Sequence, residues 1–285
     1  MSATSDAKNK MSNILVAGFV TLCVLVAPQA AFAGNLAFRE EPTIMANPNA
    51  KVPLAAILSY QTTKPVKAVL HVDDGAKAWT IDFGGDFRKD ATLPILGLRP
   101  DRDHSFKLEV YDKAGNRIVS ERSLNFHTPP LPADSLEWPT IELTKVDSDR
   151  VEGGITLLSV RRNSMTRPYR MSRKQRDFTE NYGLIIGVNT EGEVVWYYRG
   201  DERTAGIEVL RNGNLIFHTA DFRTVEIDFL GNVVNQFYPE KRPWGPVPGA
   251  TPIEGIQTLH HQPHETRDGN FLAFSANERT VEDYY

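Results

Sequence analysis

Two strand–turn–strand units recur in the second half of this 285-residue chain, and they constrain its fold more than any other feature. The first runs Gly183-Leu-Ile-Ile-Gly-Val188, then Asn189-Thr-Glu-Gly192, then Glu193-Val-Val-Trp-Tyr-Tyr198. The second runs Thr224-Val-Glu-Ile227, Asp228-Phe-Leu-Gly231, Asn232-Val-Val-Asn-Gln-Phe-Tyr238, with Gly231 39 residues after Gly192. A different pair also recurs: Leu210-Arg-Asn-Gly213-Asn-Leu-Ile matches Thr266-Arg-Asp-Gly269-Asn-Phe-Leu, 56 residues apart. The difference between the two offsets is one insertion, Pro239 to about Gln257, rich in Pro and Gly. A unit of about 40 residues and four antiparallel strands is the signature of a β-propeller blade.

In the blade register, Asn-Gly and Asp-Gly turns join the first and second strands. The strand before Asp268 is then innermost and lines a central channel. It carries His260-His261-Gln262-Pro263-His264, three of the seven histidines within five residues. Subtracting 56 from His261 gives Ala205, so the histidine is no part of the structural repeat. A residue that breaks a repeat at a channel mouth is a site candidate. Strict alternation sends His260 and His261 to opposite faces, and groups His260 with Gln262 and His264. A zinc site needs convergent ligands, and nothing else in the chain completes such a set, so no metal is expected. The remaining readings are a structural histidine cluster and a ligand-facing His261, with His264 and His260 as further contacts. The basic, polar stretch from Asn163 to Glu180, counted with Arg161 and Arg162 just before it, reads as a solvated insertion between strands, or as an anion-attracting loop.

The first half reads as short strands every 8 to 15 residues with Gly, Pro and Asp punctuation. Val52 to Tyr60 and Val66 to Val72 are two strands, with a turn at Gln61-Thr-Thr-Lys-Pro65 between them. Ser105 to Tyr111 alternates cleanly. Together with Leu96-Gly-Leu-Arg-Pro-Asp101 and the size of the segment, this suggests a β-sandwich that looks like a fibronectin type III or immunoglobulin-like module. His71, His104 and His127 lie singly here and read as surface or packing residues. Thr128-Pro-Pro-Leu-Pro-Ala-Asp134 is a stiff linker. The expected organisation is therefore all-β: residues 1–33 a signal peptide, 34–134 a β-sandwich, and 135–285 an incomplete propeller of about two to three blades.

The signal-peptide reading rests on Lys8 and Lys10, the apolar run Ile14 to Val26, and Ala31-Phe-Ala33 before Gly34. It places the mature chain in the periplasm or outside the cell, with no membrane span after cleavage. The single cysteine, Cys23, leaves with that segment, so no disulfide and no thiol chemistry are expected. The net charge of −4 argues against nucleic acid as a partner.

The order of signal peptide, small β-sandwich, Pro-rich linker and blades carrying Asn189-Thr-Glu-Gly-Glu-Val-Val-Trp-Tyr-Tyr198 and His260-His-Gln-Pro-His-Glu-Thr-Arg-Asp-Gly-Asn-Phe-Leu272 resembles the bacterial aryl-sulfate sulfotransferases. The resemblance covers roughly residues 40 to 285. It implies a six-bladed propeller that moves a sulfuryl group from an aryl sulfate to a phenol through a sulfated histidine. It implies no nucleotide donor and no cofactor. His261 matches a family active-site histidine that binds the transferring group. The family's nucleophilic histidine and its sulfate-binding arginine are expected beyond Tyr285, which makes the chain a fragment in this reading. The implied partners are a small-molecule aryl sulfate and a phenol, and a homodimer is compatible with the pattern. A non-catalytic extracytoplasmic binding propeller, or a hydrolase or lyase on the same scaffold, are the alternatives.

Overall fold

The computed structural model describes residues 35–145, 147, 150–162, 170–276 and 280–283. The expected signal peptide, and residues 163–169 of the basic run, lie outside the described residues. The first seven strands are β1 (Phe38–Ala46), β2 (Ala56–Asp73), β3 (Ala78–Asp82), β4 (Arg88–Ile95), β5 (Asp103–Asp112), β6 (Arg117–Val119) and β7 (Leu124–His127). All belong to one hydrogen-bonded sheet built on β2. The first half of β2 pairs with β1 and β4, and its second half with β3 and β5.

The turn expected at 61–65 does not form; β2 is one strand of 18 residues. Pro65 has no N–H for the ladder, but the β2–β4 register slips between Gln61 and Val66, and a bulge tolerates proline. The Thr62 hydroxyl spans the irregularity, reaching the carbonyls of Lys64 and Lys89. The sheet curls over a single core. Leu58 and Tyr60 from one half of β2, and Val66, Leu70 and Val72 from the other, pack with Phe106, Leu108 and Val110 of β5. The alternation read for β5 is thus a true inward face. Each such buried side chain contributes roughly 1.5–3 kcal/mol.

The second half continues with β8 (Ile155–Val160), α1 (Arg173–Glu180), β9 (Gly183–Asn189) and β10 (Val194–Gly200). Next come β11 (Thr204–Val209), β12 (Leu215–Thr219), β13 (Thr224–Ile227), β14 (Val233–Pro239) and β15 (Thr251–Ile253), then β16 (His260–Glu265) and β17 (Phe271–Phe274). Strands β11 to β14 form a four-stranded antiparallel, propeller-like blade. The Pro-rich insertion adds β15 to its outer edge in parallel with β14. Strands β8 to β10 form a second sheet, and β16 with β17 a third.

The repeat is visible in the turn hydrogen bonds. Gly192 N–H donates to Asn189 and Gly231 N–H to Asp228, while Gly213 N–H donates to Leu210 and Gly269 N–H to Thr266. Helix α1 was not anticipated within the basic run. Its sequence signal is Ser172-x-x-Gln175, a capping box in which the serine hydroxyl and the glutamine side chain each satisfy the other's backbone N–H.

The β1–β2 loop belongs to the blades' packing as much as to its own sheet. Val52 and Ala55 are buried with Trp196, Leu215, Phe217 and Ile227, and Leu54 with Tyr182, Leu184 and Tyr197. Asn47 Nδ2 donates to the Leu230 carbonyl at 2.9 Å. The buried Arg99 guanidinium pairs with Asp74 at 2.5 Å and with Glu193, in the β9–β10 hairpin, at 3.2 Å.

Candidate functional site

Strands β11 and β16 start their respective units and lie side by side, held by Glu208. Its carboxylate accepts from Glu265 N–H, and Gln262 Nε2 and His264 Nδ1 lie 3.1 Å from it. Burial raises the Glu208 pKa, but these hydrogen bonds outweigh it and hold the carboxyl below its ordinary value. Both strands bulge at the same level. The β11 register slips between Ala205 and Glu208, and the β16 register between His260 and His264. Each bulge contains a left-handed residue: Gly206 (φ 59°) in β11 and His261 (φ 66°) in β16. The approach is close, since a Cβ on Gly206 would collide with the His261 carbonyl and Gln262 Cα.

The bulge overturns the alternation expected for the histidines. With His261 left-handed, the two side chains do not point to opposite faces. His260 and His261 meet, Nδ1 to Nδ1 at 2.6 Å, with ring centroids 4.7 Å apart. One ring must supply the proton between them. Both pack on Phe274 of β17, His260 nearly parallel to it and His261 edge-on. A histidine at positive φ costs roughly 1–2 kcal/mol, a cost that Gly206 avoids in the preceding unit.

Across from this pair stands His218, at the end of β12. It is only 2% exposed. Its Nδ1 lies 2.8 Å from Thr224 Oγ1, while Nε2 has no hydrogen-bond partner. Burial pushes its pKa down to about 4; a hydrogen bond to the Arg223 backbone opposes this, and positive charge on His260 and His261 adds to it. The ring is therefore neutral at pH 7. In the tautomer that donates from Nδ1 to Thr224 Oγ1, Nε2 carries the lone pair.

These residues line a cleft of about 570 Å³, with Arg161 from the end of β8, Arg203 from the β10–β11 connection, and Phe222 from the β12–β13 turn. Neither arginine forms an ion pair with a carboxylate among the described residues. Burial, and then the neighbouring Arg161 charge, hold Arg203 below the ordinary guanidinium value, and it still stays protonated. Glu180 and Glu202 are the acidic charges that act on Arg203, neither within salt-bridge distance of it, so two guanidinium groups beside a neutral imidazole and a hydrogen-bonded imidazole pair can receive an anionic group.

Of the three sequence candidates, His260 and His261 line this cleft. His264 stands apart, exposed and beside Glu208. Sequence reasoning named Arg161 only as a member of the basic run, and it missed Arg203 and His218. His218 had an available signal: in the 56-residue register it falls on the position of Phe274, so it too departs from the repeat. Among the described residues, no group of three or more His, Cys, Asp or Glu is arranged to hold a metal ion.

Residues 140–284, half of the chain, match the family model for arylsulfotransferase (ASST). The chain belongs to the arylsulfotransferase family. The match takes in every cleft residue named above, and it leaves the β1–β7 sheet outside. No curated protein matches the chain at a significant level.

Proposed function

We propose that the cleft binds the sulfuryl group of an aryl sulfate ester and takes part in its transfer to a phenol through a sulfohistidine, without a nucleotide donor. The observation that carries this reading is the pairing of Arg161 and Arg203 with three imidazoles in one cleft. The transferring group spreads negative charge over three oxygens. Guanidinium N–H groups placed around those oxygens lower the barrier. The balanced sequence has two displacements. An imidazole nitrogen forms an N–S bond as the aryl S–O bond breaks, and the departing phenolate takes a proton. The acceptor phenol then gives its proton to an imidazole as its oxygen attacks sulfur, and the N–S electron pair returns to the ring.

His261 and its neighbours suit this sequence. The His260–His261 pair holds a proton that a phenolate can take, and His218 Nε2 offers a lone pair that can accept a proton or attack sulfur. His264, gripped by Glu208, orients β16 and reaches substrate only at the outer end of the strand. Export through residues 1–33 is part of the proposal, and it would put the site where nucleotide sulfates are absent. Among the described residues no helix is long and apolar enough to cross a membrane.

The test is a chromogenic aryl sulfate with a phenol acceptor, together with intact-mass detection of a histidine-bound sulfuryl group. His261→Asn keeps a residue tolerant of positive φ. Loss of a donor to the developing anion should slow transfer on the order of 100-fold or more. Normal turnover in His261→Asn would remove His261 from the mechanism, whereas binding of aryl sulfates without any transfer or adduct would favour a non-catalytic binding propeller instead.

A further inference from the structure

Beside the anion-binding end of the cleft stands an aromatic pair that the sulfuryl chemistry does not use. Phe222, which lines the cleft, has φ 66°. A bulky aromatic residue in that backbone region is a genuine outlier, held only where its surroundings impose it. Here the surroundings are identifiable. Phe222 N–H donates to the Thr219 carbonyl. The adjacent Asp221 carboxylate accepts from Thr219 Oγ1 at 2.6 Å and Arg223 Nε at 2.8 Å, and pairs with Arg242 Nη2 at 3.1 Å. Arg242 belongs to the Pro-rich insertion, and its buried guanidinium lies 5.4 Å from the ring centroid of Trp244. Trp244 in turn packs on Phe222, with centroids 5.2 Å apart and planes inclined by 55°. Asp221 thus ties the cleft-lining turn to the insertion and fixes both rings.

Trp244 is 59% exposed despite this anchoring, between Pro243 and Pro246. An indole held by a cation on one side, in tilted contact with the cleft-lining Phe222 ring and open to solvent is a prepared aromatic surface. Aromatic rings bind each other edge-to-face or offset, and a rigid receptor loses little entropy when one docks. We propose that Phe222 and Trp244 form the subsite for the aryl ring of a phenolic substrate, with Trp244 the specificity-determining contact. The proposal rests on the aryl-sulfate reading of the cleft. It adds where the ring lies and why this insertion interrupts the blade repeat.

Calorimetric titration with 2-naphthol, a neutral phenol, and separately with inorganic sulfate tests it on the intact chain. Trp244→Ala should weaken naphthol binding about tenfold while leaving sulfate binding unchanged, and Trp244→Phe should retain most of the naphthol affinity. Arg203→Gln should show the reverse, weakened sulfate and unchanged naphthol. Unchanged melting temperatures would confirm that the exposed indole is not needed for folding. Equal naphthol affinity in wild type and Trp244→Ala, or no naphthol binding to wild type, would overturn the subsite. If sulfate fails to bind wild type while the naphthol series behaves as expected, the subsite stands and the sulfuryl reading falls.

Discussion

Protonation of His218 should destabilise the fold, by an amount the structure sets. The ring is 2% exposed, and its pKa falls from 6.5 to about 4 on burial. The folded-state pKa is depressed for a base, so the unfolded chain binds more protons between those values. Stability is then complete above about pH 6.5 and is lost as pH falls towards 4. At pH 5 the unfolded ring is almost fully charged and the folded ring almost neutral, which amounts to about 2 kcal/mol against pH 7.5. For a chain of this size that corresponds to a melting-temperature drop of about 4–8 °C. His218→Asn removes the titration while keeping an amide near Thr224. Thermal melts of both proteins at several pH values isolate the effect, because the two proteins share every other titratable group. The wild-type loss between pH 7.5 and 5 should exceed that of the variant by about 2 kcal/mol. Parallel pH profiles would refute the argument, and with it the neutral imidazole assigned to the cleft.

Other outcomes follow from the same structure. His261→Gly should relieve the left-handed backbone and leave stability unchanged or up to about 1 kcal/mol higher, while His261→Ala should not; denaturant midpoints of the two variants settle it. Arg99→Met leaves the fully buried Asp74 carboxylate unpaired and should cost about 3–5 kcal/mol, with most of that recovered in the Arg99→Met/Asp74→Asn double variant; a double-mutant cycle by urea unfolding measures it. Severing the chain near residue 134 should strip Val52, Leu54 and Ala55 of their partners, so the isolated 35–134 piece should bind a dye for exposed apolar surface more strongly than the whole chain does. Exported protein should begin at Gly34, as N-terminal sequencing would show; a start at Met1 contradicts the signal-peptide reading.

The local grammar of this protein was legible in its residues. Gly192, Gly213, Gly231 and Gly269 take positive φ in turns whose flanking strands are marked by β-branched and aromatic runs, and these interactions span only a few residues. The repeat, the all-β class and the inward face of β5 followed from that short-range information. The helix also had a local signal, the Ser172–Gln175 capping box, hidden within a basic run. The single strand β2 was less legible, because a bulge partnered by β4 let the chain pass through Pro65 where local propensity indicated a turn.

The cleft needed the tertiary structure. Arg161, Arg203, His218 and His261 sit on four different segments, and nothing in their spacing brings them together; only the packing of successive sheets does. The His260–His261 contact runs against the strand's own period of two. It forms because β11 and β16 approach too closely for regular pairing, and the β16 backbone turns left-handed at His261 to accommodate the bulge. Side-chain alternation is a property of one strand. Which ring meets which is decided where two strands from different units compete for the same space.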